Sequence, residues 1–279
     1  MNFYSNHMMK VLVIGAGNMG LTYAEAIAKS NFLNQGSLMI FDNDRSKLDA
    51  LRQRGVFDVH DQLGNCLPQA DIVFIAVKPY HASQLMQTMK PAMNVDQLVI
   101  SIMAGVSIDT LKTGLGIPKI VRAMPNLPAL VGEGVTSFTA AAGVSKLELL
   151  TVQQLLGTTG LSIGLASERE IDASTGISGS GPAYVFYFMQ SVMEAASEMG
   201  FSKESARSLV AQTFTGAVEL FNSADLDPAA WIEKVASKGG TTRAALDSME
   251  DNDVRTLIKT AAYAAFRRAE ELGKEFSHA

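Results

Sequence analysis

Val11-Leu12-Val13-Ile14-Gly15-Ala16-Gly17-Asn18-Met19-Gly20 joins four apolar residues to a glycine turn and then to a helical pattern. The apolar run has the composition of a strand buried on both faces, as in a parallel sheet covered by helices. Each glycine has its own task in such a turn. Gly15 permits the reversal, Gly17 lets a ligand approach the backbone, and Gly20 lets the helix lie against the strand. The unpaired N–H groups and partial positive charge at the helix start suit a pyrophosphate. A second apolar run, Leu38 to Phe41, leads into Asp42, which stands about 20 residues on, where an acidic partner of an adenosine ribose belongs. The chain is therefore expected to bind a dinucleotide through Gly15, Gly17, Asn18, Met19, Gly20, Asp42 and Asn43. Asp42 accepts from hydroxyls and repels a 2′-phosphate, which favours NADH, while Arg45 offers a phosphate partner and keeps NADPH open.

The same pattern extends outward. Ile72 to Val77, Leu98 to Ile102 and Ile120 to Ala123 read as further buried strands, with helices such as Met19 to Ala28 and Ser46 to Arg54 between strands. Val135 to Phe138 and Leu161 to Leu165 read as added strands flanking a helix from about Lys146 to Leu156. Ala76-Val77-Lys78-Pro79 ends a central strand, where ligands of doubly wound sheets collect, and joins the expected cofactor set. From Glu168 the β-branched runs give way to Ala-, Met-, Leu- and Glu-rich segments of helical spacing, separated at Gly200 and around Asp225 to Pro228. The expected fold is α/β: a Rossmann-type, doubly wound dinucleotide-binding domain over residues 9–167, then an all-α domain over residues 168–279.

Gly176-Ile177-Ser178-Gly179-Ser180-Gly181-Pro182 interrupts the helical half, and Pro182 suits the first turn of the next helix. That helix, Ala183 to Met199, carries Tyr184, Val185, Phe186, Phe188, Met189, Val192 and Met193 around too much of its circumference for a surface helix. A second subunit is expected to cover it, giving a homo-oligomer.

Composition narrows the functional classes. With 47% apolar and 18% charged residues the chain is an ordinary globular protein, and a net charge of −5 with no basic stripe argues against nucleic acid. No apolar run reaches the roughly 18 residues of a membrane span, and no leader pattern opens the sequence, so a cytoplasmic location is expected. The single cysteine, Cys66, forms no internal disulfide and belongs to no metal-ligand spacing, so no metal site is expected. Met1 to Met8 is polar and unpatterned and is read as an extension ahead of the fold.

Near the C-terminus, Lys238-Gly239-Gly240-Thr241-Thr242 sets two glycines and two hydroxyls at a helix start. Such a turn exposes several backbone N–H groups, a nest that fits a small carboxylate. A bare helix cap uses the same residue types.

These stretches together resemble pyrroline-5-carboxylate reductase. The resemblance rests on GAGNMG, AVKP, Arg122-Ala123-Met124-Pro125-Asn126, the run Gly176 to Phe186 and Ser237 to Thr242, in that order over nearly the whole chain. It implies a helical rear domain interlocked in a homodimer, often built into larger rings, and a nicotinamide site that includes Ala104. It also implies that Ser237, Gly239, Gly240 and Thr241 hold the carboxylate of 1-pyrroline-5-carboxylate, with the Thr242 hydroxyl near the ring nitrogen as the catalytic contact. A protonated imine is already electrophilic, so a dedicated general acid is optional, and His60, His81 and His278 receive no role. Lys238 stands where the family usually has proline, Leu127 where threonine is common, and Ile102-Met103 where alanines are common. Those departures keep a related cyclic imine open, with Met103 expected to reshape the nicotinamide pocket.

Two other readings compete. A hydroxyacid or 6-phosphogluconate-type dehydrogenase shares this organisation but needs a base, and Lys203, Lys234 and Lys259 sit in no motif that marks one. A nucleotide-sensing regulator keeps the cofactor fold but has no use for a carboxylate nest.

Overall fold

The computed structural model describes residues 9–30, 32–33 and 38–277. The reading of Met1 to Met8 as an extension, and His278, lie outside them. Eight strands form one sheet: β1 (Val11–Ile14), β2 (Leu38–Phe41), β3 (Asp58–His60), β4 (Ile72–Ile75), β5 (Leu98–Ser101), β6 (Ile120–Met124), β7 (Gly134–Ala140) and β8 (Gly160–Gly164). Their order is β3-β2-β1-β4-β5-β6-β7-β8, parallel throughout except for β7 against β6. The helices beside them are α1 (Asn18–Lys29), α2 (Arg45–Arg54), α3 (Leu63–Cys66), α4 (Ala82–Met89), α5 (Ile108–Leu115), α6 (Lys146–Gly157) and α7 (Glu168–Ser174). Then follow α8 (Gly181–Glu198), α9 (Lys203–Ser223), α10 (Pro228–Val235), α11 (Thr241–Asp251) and α12 (Val254–Ser277).

Strand alternation divides the core into two layers. Val11, Val13, Ile40, Phe74, Ile100 and Val121 pack with Tyr23, Ala24 and Ile27 of α1 on one face. Leu12, Ile14, Met39, Val73, Ile75, Val99 and Ile120 pack with Met86, Met89, Leu111 and Leu115 on the other. Cys66 belongs to the second layer, where burial pushes its thiol up to about 11. It is a packing residue and no nucleophile at neutral pH.

Two features depart from the pattern of parallel, apolar strands read in the sequence. The segment between Met124 and Gly134 is too short for a crossover helix, so β7 must return antiparallel; the helix α6 supplies the crossover that makes β8 parallel to β7. Strand β3 carries no apolar run, being Asp-Val-His at the sheet edge, where charged residues are the usual guard. Its His60 therefore lies in a strand.

Helix ends follow local chemistry. Ser107 caps α5 and Gly116 ends it in the left-handed region, while Ser145 and Glu148 form a reciprocal capping box on α6. Ser202 caps α9, and Asp227 with Pro228 opens α10, close to the breaks read from sequence.

The chain divides into two compact units. One comprises the described residues up to Ser180 together with those from Ala264 onward, and the other Gly181–Tyr263. The change of composition at residue 168 and the end of the first unit at Ser180 are thus separate landmarks. The reason is an ionic clamp. Arg122 on β6 is 4% exposed and donates from Nη1 to Glu168 Oε1 (3.2 Å) and from Nη2 to Asp172 Oδ1 (2.5 Å), which fastens α7 to the sheet. Glu168 Oε1 also accepts the Ile108 N–H at 2.8 Å, so one carboxylate joins the starts of α5 and α7.

Within the second unit, α8 has no buried residue, and Val185, Phe186, Tyr187 and Val192 are exposed. Val218, Leu220 and Phe221 of α9 are exposed as well. Among the described residues no helix is long and apolar enough to cross a membrane, and no group of His, Cys, Asp and Glu could hold a metal ion.

Candidate functional site

The glycine turn between β1 and α1 opens a cleft of about 400 Å³ across the carboxyl ends of β2, β1 and β4. Gly15, at φ +104°, makes the reversal, and its N–H donates to the Phe41 carbonyl at 2.8 Å. Gly17 is the N-cap of α1 and provides no side-chain cap, so the first N–H groups of the helix remain available. A Cβ at Gly17 would meet nothing within 4 Å, whereas one at Gly20 would lie 2.0 Å from the Gly15 carbonyl oxygen. The glycine roles read from sequence thus separate physically: Gly15 and Gly20 are needed by the fold, and Gly17 keeps a cradle clear for a pyrophosphate.

Asp42 lines this cleft, yet both of its carboxylate oxygens are also engaged by the protein. Oδ2 accepts the Ala16 N–H at 2.6 Å and Oδ1 the Asp44 N–H at 2.8 Å. The carboxylate fastens the glycine turn to the end of β2 while keeping lone pairs for ribose hydroxyls, a dual role that spacing alone did not reveal. Lys47 Nζ stands 3.9 Å from Asp42 Oδ2 and 3.9 Å from Asp44 Oδ2. The Ser46 hydroxyl donates to Asp44 and holds that carboxyl below its ordinary range.

Of the residues nominated for the cofactor, the cleft brings together Gly15, Gly17, Asp42, Asn43, Ala76, Val77 and Lys78. Asn18 and Gly20 lie behind it in α1, Pro79 opens a 3₁₀ turn, and Ala104 follows β5 beyond the cleft. Met19 packs partly buried against the first core layer. The Met103 side chain is 1% exposed and sits in the second core layer, so it meets this cleft at no point of its wall. Sequence reading gave no cofactor role to Ile14, Phe41, Lys47, Leu63, Tyr80, His81, Gln84, Leu85 and Thr88, which complete the wall. The 3₁₀ turn after Pro79 leaves Tyr80 72% exposed at the rim, its ring 4.3 Å from that of His81.

The second unit holds the other nominated set. Gly239 is at φ +71°, the Gly240 N–H donates to the Ser237 carbonyl at 3.0 Å, and Gly240 is the N-cap of α11 without a side-chain cap. A Cβ at Gly240 would come within 2.5 Å of Ser237 Oγ, so a larger residue there would displace the Ser237 hydroxyl. Thr241 and Thr242 open the helix, and their N–H groups precede the first N–H bonded within it, that of Ala244 to the Gly240 carbonyl, which leaves them for an anion. Arg243 donates to Glu233 at 2.9 and 3.1 Å, which ties α11 to α10; it is not part of the nest.

Comparison with known proteins places both stretches in one lineage. Residues 168–272 match a family model described as pyrroline-5-carboxylate reductase dimerisation, and residues 10–105 one described as NADP oxidoreductase, coenzyme F420-dependent. The chain is 34% identical to the pyrroline-5-carboxylate reductase of Pseudomonas aeruginosa over 267 residues, covering 95% of this chain and 97% of that one. In structure it is similar to a pyrroline-5-carboxylate reductase from Coxiella burnetii, with TM-score 0.89, 30% identity and coverage of 95% and 99%. It is also similar to the Plasmodium falciparum enzyme crystallised with NADP bound, with TM-score 0.85, 29% identity and coverage of 95% and 98%.

Proposed function

The chain belongs to the pyrroline-5-carboxylate reductase family, and from that premise we infer its chemistry. It is an NAD(P)H-dependent oxidoreductase that reduces the C=N bond of 1-pyrroline-5-carboxylate to give L-proline, the last step of proline biosynthesis. The observation that carries this reading is a family match over nearly the whole chain, joined to a glycine cradle that a side chain at Gly17 would fill.

When bound, a reduced dinucleotide would supply the hydride, and a protonated imine brings its own proton, so the protein's part is to bind, align and exclude water. Gly17 and the start of α1 receive the pyrophosphate, and Asp42, Asn43, Ala76, Val77, Lys78 and Pro79 line the path of the cofactor, with Asn18, Met19, Gly20 and Ala104 supporting it. Ser237, Gly239, Gly240 and Thr241 bind the substrate carboxylate through main-chain N–H groups, with no arginine needed. Thr242 places its hydroxyl at the ring nitrogen, donating to a neutral imine or accepting from an iminium. Its replacement, Thr242→Ala, is expected to lower kcat/KM about tenfold or more, the scale of one oriented hydrogen bond in a dry site. Unchanged kinetics in that variant would remove Thr242 from the mechanism.

The fixed carboxylate of Asp42 supports NADH as the preferred form, because a latched Asp42 has little freedom to turn away from a 2′-phosphate. Residues 9–167 serve as the cofactor domain and residues 168–279 as the substrate-binding and dimerisation domain. The uncovered α8 supports a homodimer, open to assembly into rings, in the cytoplasm.

Steady-state oxidation of NADH and NADPH with 1-pyrroline-5-carboxylate, beside 1-piperideine-2- and 6-carboxylate, tests the reading. The five-membered imine with NADH is expected to give the highest kcat/KM. Faster turnover of a piperideine would make the chain a neighbouring cyclic-imine reductase, and activity confined to hydroxyacids would make it a dehydrogenase.

A further inference from the structure

Among the buried polar side chains to which the mechanism above gives no task, Asn126 is the one that reaches the glycine-rich segment after α7. Asn126, directly after β6, is 9% exposed and uses both ends of its amide. Oδ1 accepts the Val135 N–H at 2.8 Å, and Nδ2 donates to the Ser178 carbonyl at 3.0 Å. One side chain thus joins the end of β6, the start of β7 and the glycine-rich segment that follows α7.

That segment does not break the helix as its glycines suggest. Residues Thr175–Gly179 form a π-turn, in which the Ser180 N–H reaches back to the Thr175 carbonyl at 2.8 Å. In a regular helix the Ser178 carbonyl would accept from the N–H of residue 182, and residue 182 is proline. Pro182 has no hydrogen to give. Asn126 provides a donor to that carbonyl from another segment, so the path of the turn is dictated by the end of a strand.

The location gives this a consequence. Strands β4, β5 and β6 are adjacent and parallel, so the stretches after them, Ala76–Lys78, Met103–Gly105 and Pro125–Asn126, share one edge of the sheet. The adenosine cleft occupies the β2, β1 and β4 end of that edge, which leaves the β5 and β6 end for the other half of an extended dinucleotide.

We propose that Asn126 is a positioning residue for hydride transfer, standing in for the amide hydrogen that Pro182 lacks and thereby fixing the π-turn Thr175–Gly179 beside the nicotinamide. The inference rests on the reductase reading. Asn126→Asp keeps the acceptor for Val135 and replaces the donor facing Ser178 by an oxygen. It is expected to lower kcat about tenfold or more, since small displacements at a reacting pair carry large rate penalties. The dissociation constant for NADH, read by fluorescence titration, should stay within about twofold, because the pyrophosphate and ribose contacts are elsewhere.

A second variant separates positioning from folding. Pro182→Ala returns an N–H to residue 182, and in that background Asn126→Asp should cost at least about fivefold less in kcat than it does alone, a coupling that a double-mutant cycle measures. Equal losses in both backgrounds would overturn the proposal, as would a loss of NADH affinity and melting temperature in step with kcat. A parent protein inert towards 1-pyrroline-5-carboxylate with either cofactor would instead end the reductase reading.

Discussion

Gly20→Ala is expected to lower the melting temperature by roughly 5–10 °C, while Gly17→Val leaves it nearly unchanged and raises the dissociation constant for NADH about a hundredfold. The two glycines are three positions apart in one turn, and geometry assigns them opposite penalties. A methyl group at Gly20 would sit 2.0 Å from the Gly15 carbonyl oxygen and 3.1 Å from the Ala76 Cβ, and main chain does not step aside as a flexible side chain does. Gly15 has no slack either, being at φ +104° with its own Cβ direction 2.9 Å from the Ala76 carbonyl oxygen. Overpacking of this kind costs about 1–3 kcal/mol or more, and each kcal/mol moves the midpoint of a chain this size by about 2–4 °C. At Gly17 the added group meets no protein atom and fills the cradle instead. Two hydrogen bonds from main chain to a charged group, about 1.5 kcal/mol each, correspond to about a hundredfold in affinity. Thermal melts and fluorescence titrations of both variants check the contrast; comparable melting losses would refute it.

Arg122→Met should destabilise the first unit by about 3–5 kcal/mol, the scale of removing one partner from a buried ion pair. The guanidinium is almost entirely enclosed, and its loss strands Asp172 and Glu168 against the sheet. Methionine fills part of the volume but answers neither carboxylate. Adding Glu168→Gln and Asp172→Asn to Arg122→Met neutralises the stranded charges, and the amide oxygen of a glutamine at 168 can still accept from the Ile108 N–H. The triple variant is therefore expected to regain a large part of the lost stability in urea unfolding. If the single substitution cost less than about 1 kcal/mol, the clamp would not be what holds α7 in place.

How much of this was legible in the sequence depended on whether the deciding interaction was local. Strands β1, β2, β4, β5 and β6 are apolar or nearly apolar runs, and the breaks at Gly200 and Asp227-Pro228 carry their own turn chemistry, so periodicity found them. Strand β3 has no such run, because its pairing with β2 and not its composition makes it a strand. The antiparallel return of β7 was hidden in a loop length that patterning does not weigh. At the site, Gly15, Gly17 and Asp42 were readable because their spacing follows from what a pyrophosphate and a ribose require. The clamp of Asp42 on Ala16, the bridge from Asn126 to Ser178 and the burial of Met103 each depend on residues brought together from different segments. Pro182 was legible as a helix-start residue, but its missing hydrogen gained meaning only when a donor from the segment after β6 was seen to meet the carbonyl four residues before it.

Cys66 closes the short helix α3, whose first residue, Leu63, forms part of the wall of the adenosine cleft. Because it is the chain's only thiol and is buried in the second core layer, a maleimide dye can attach only when the protein around α3 opens. The native protein thus contains a one-position clock for breathing of the nucleotide entrance, and occupancy by NADH should slow its ticking without any engineered label.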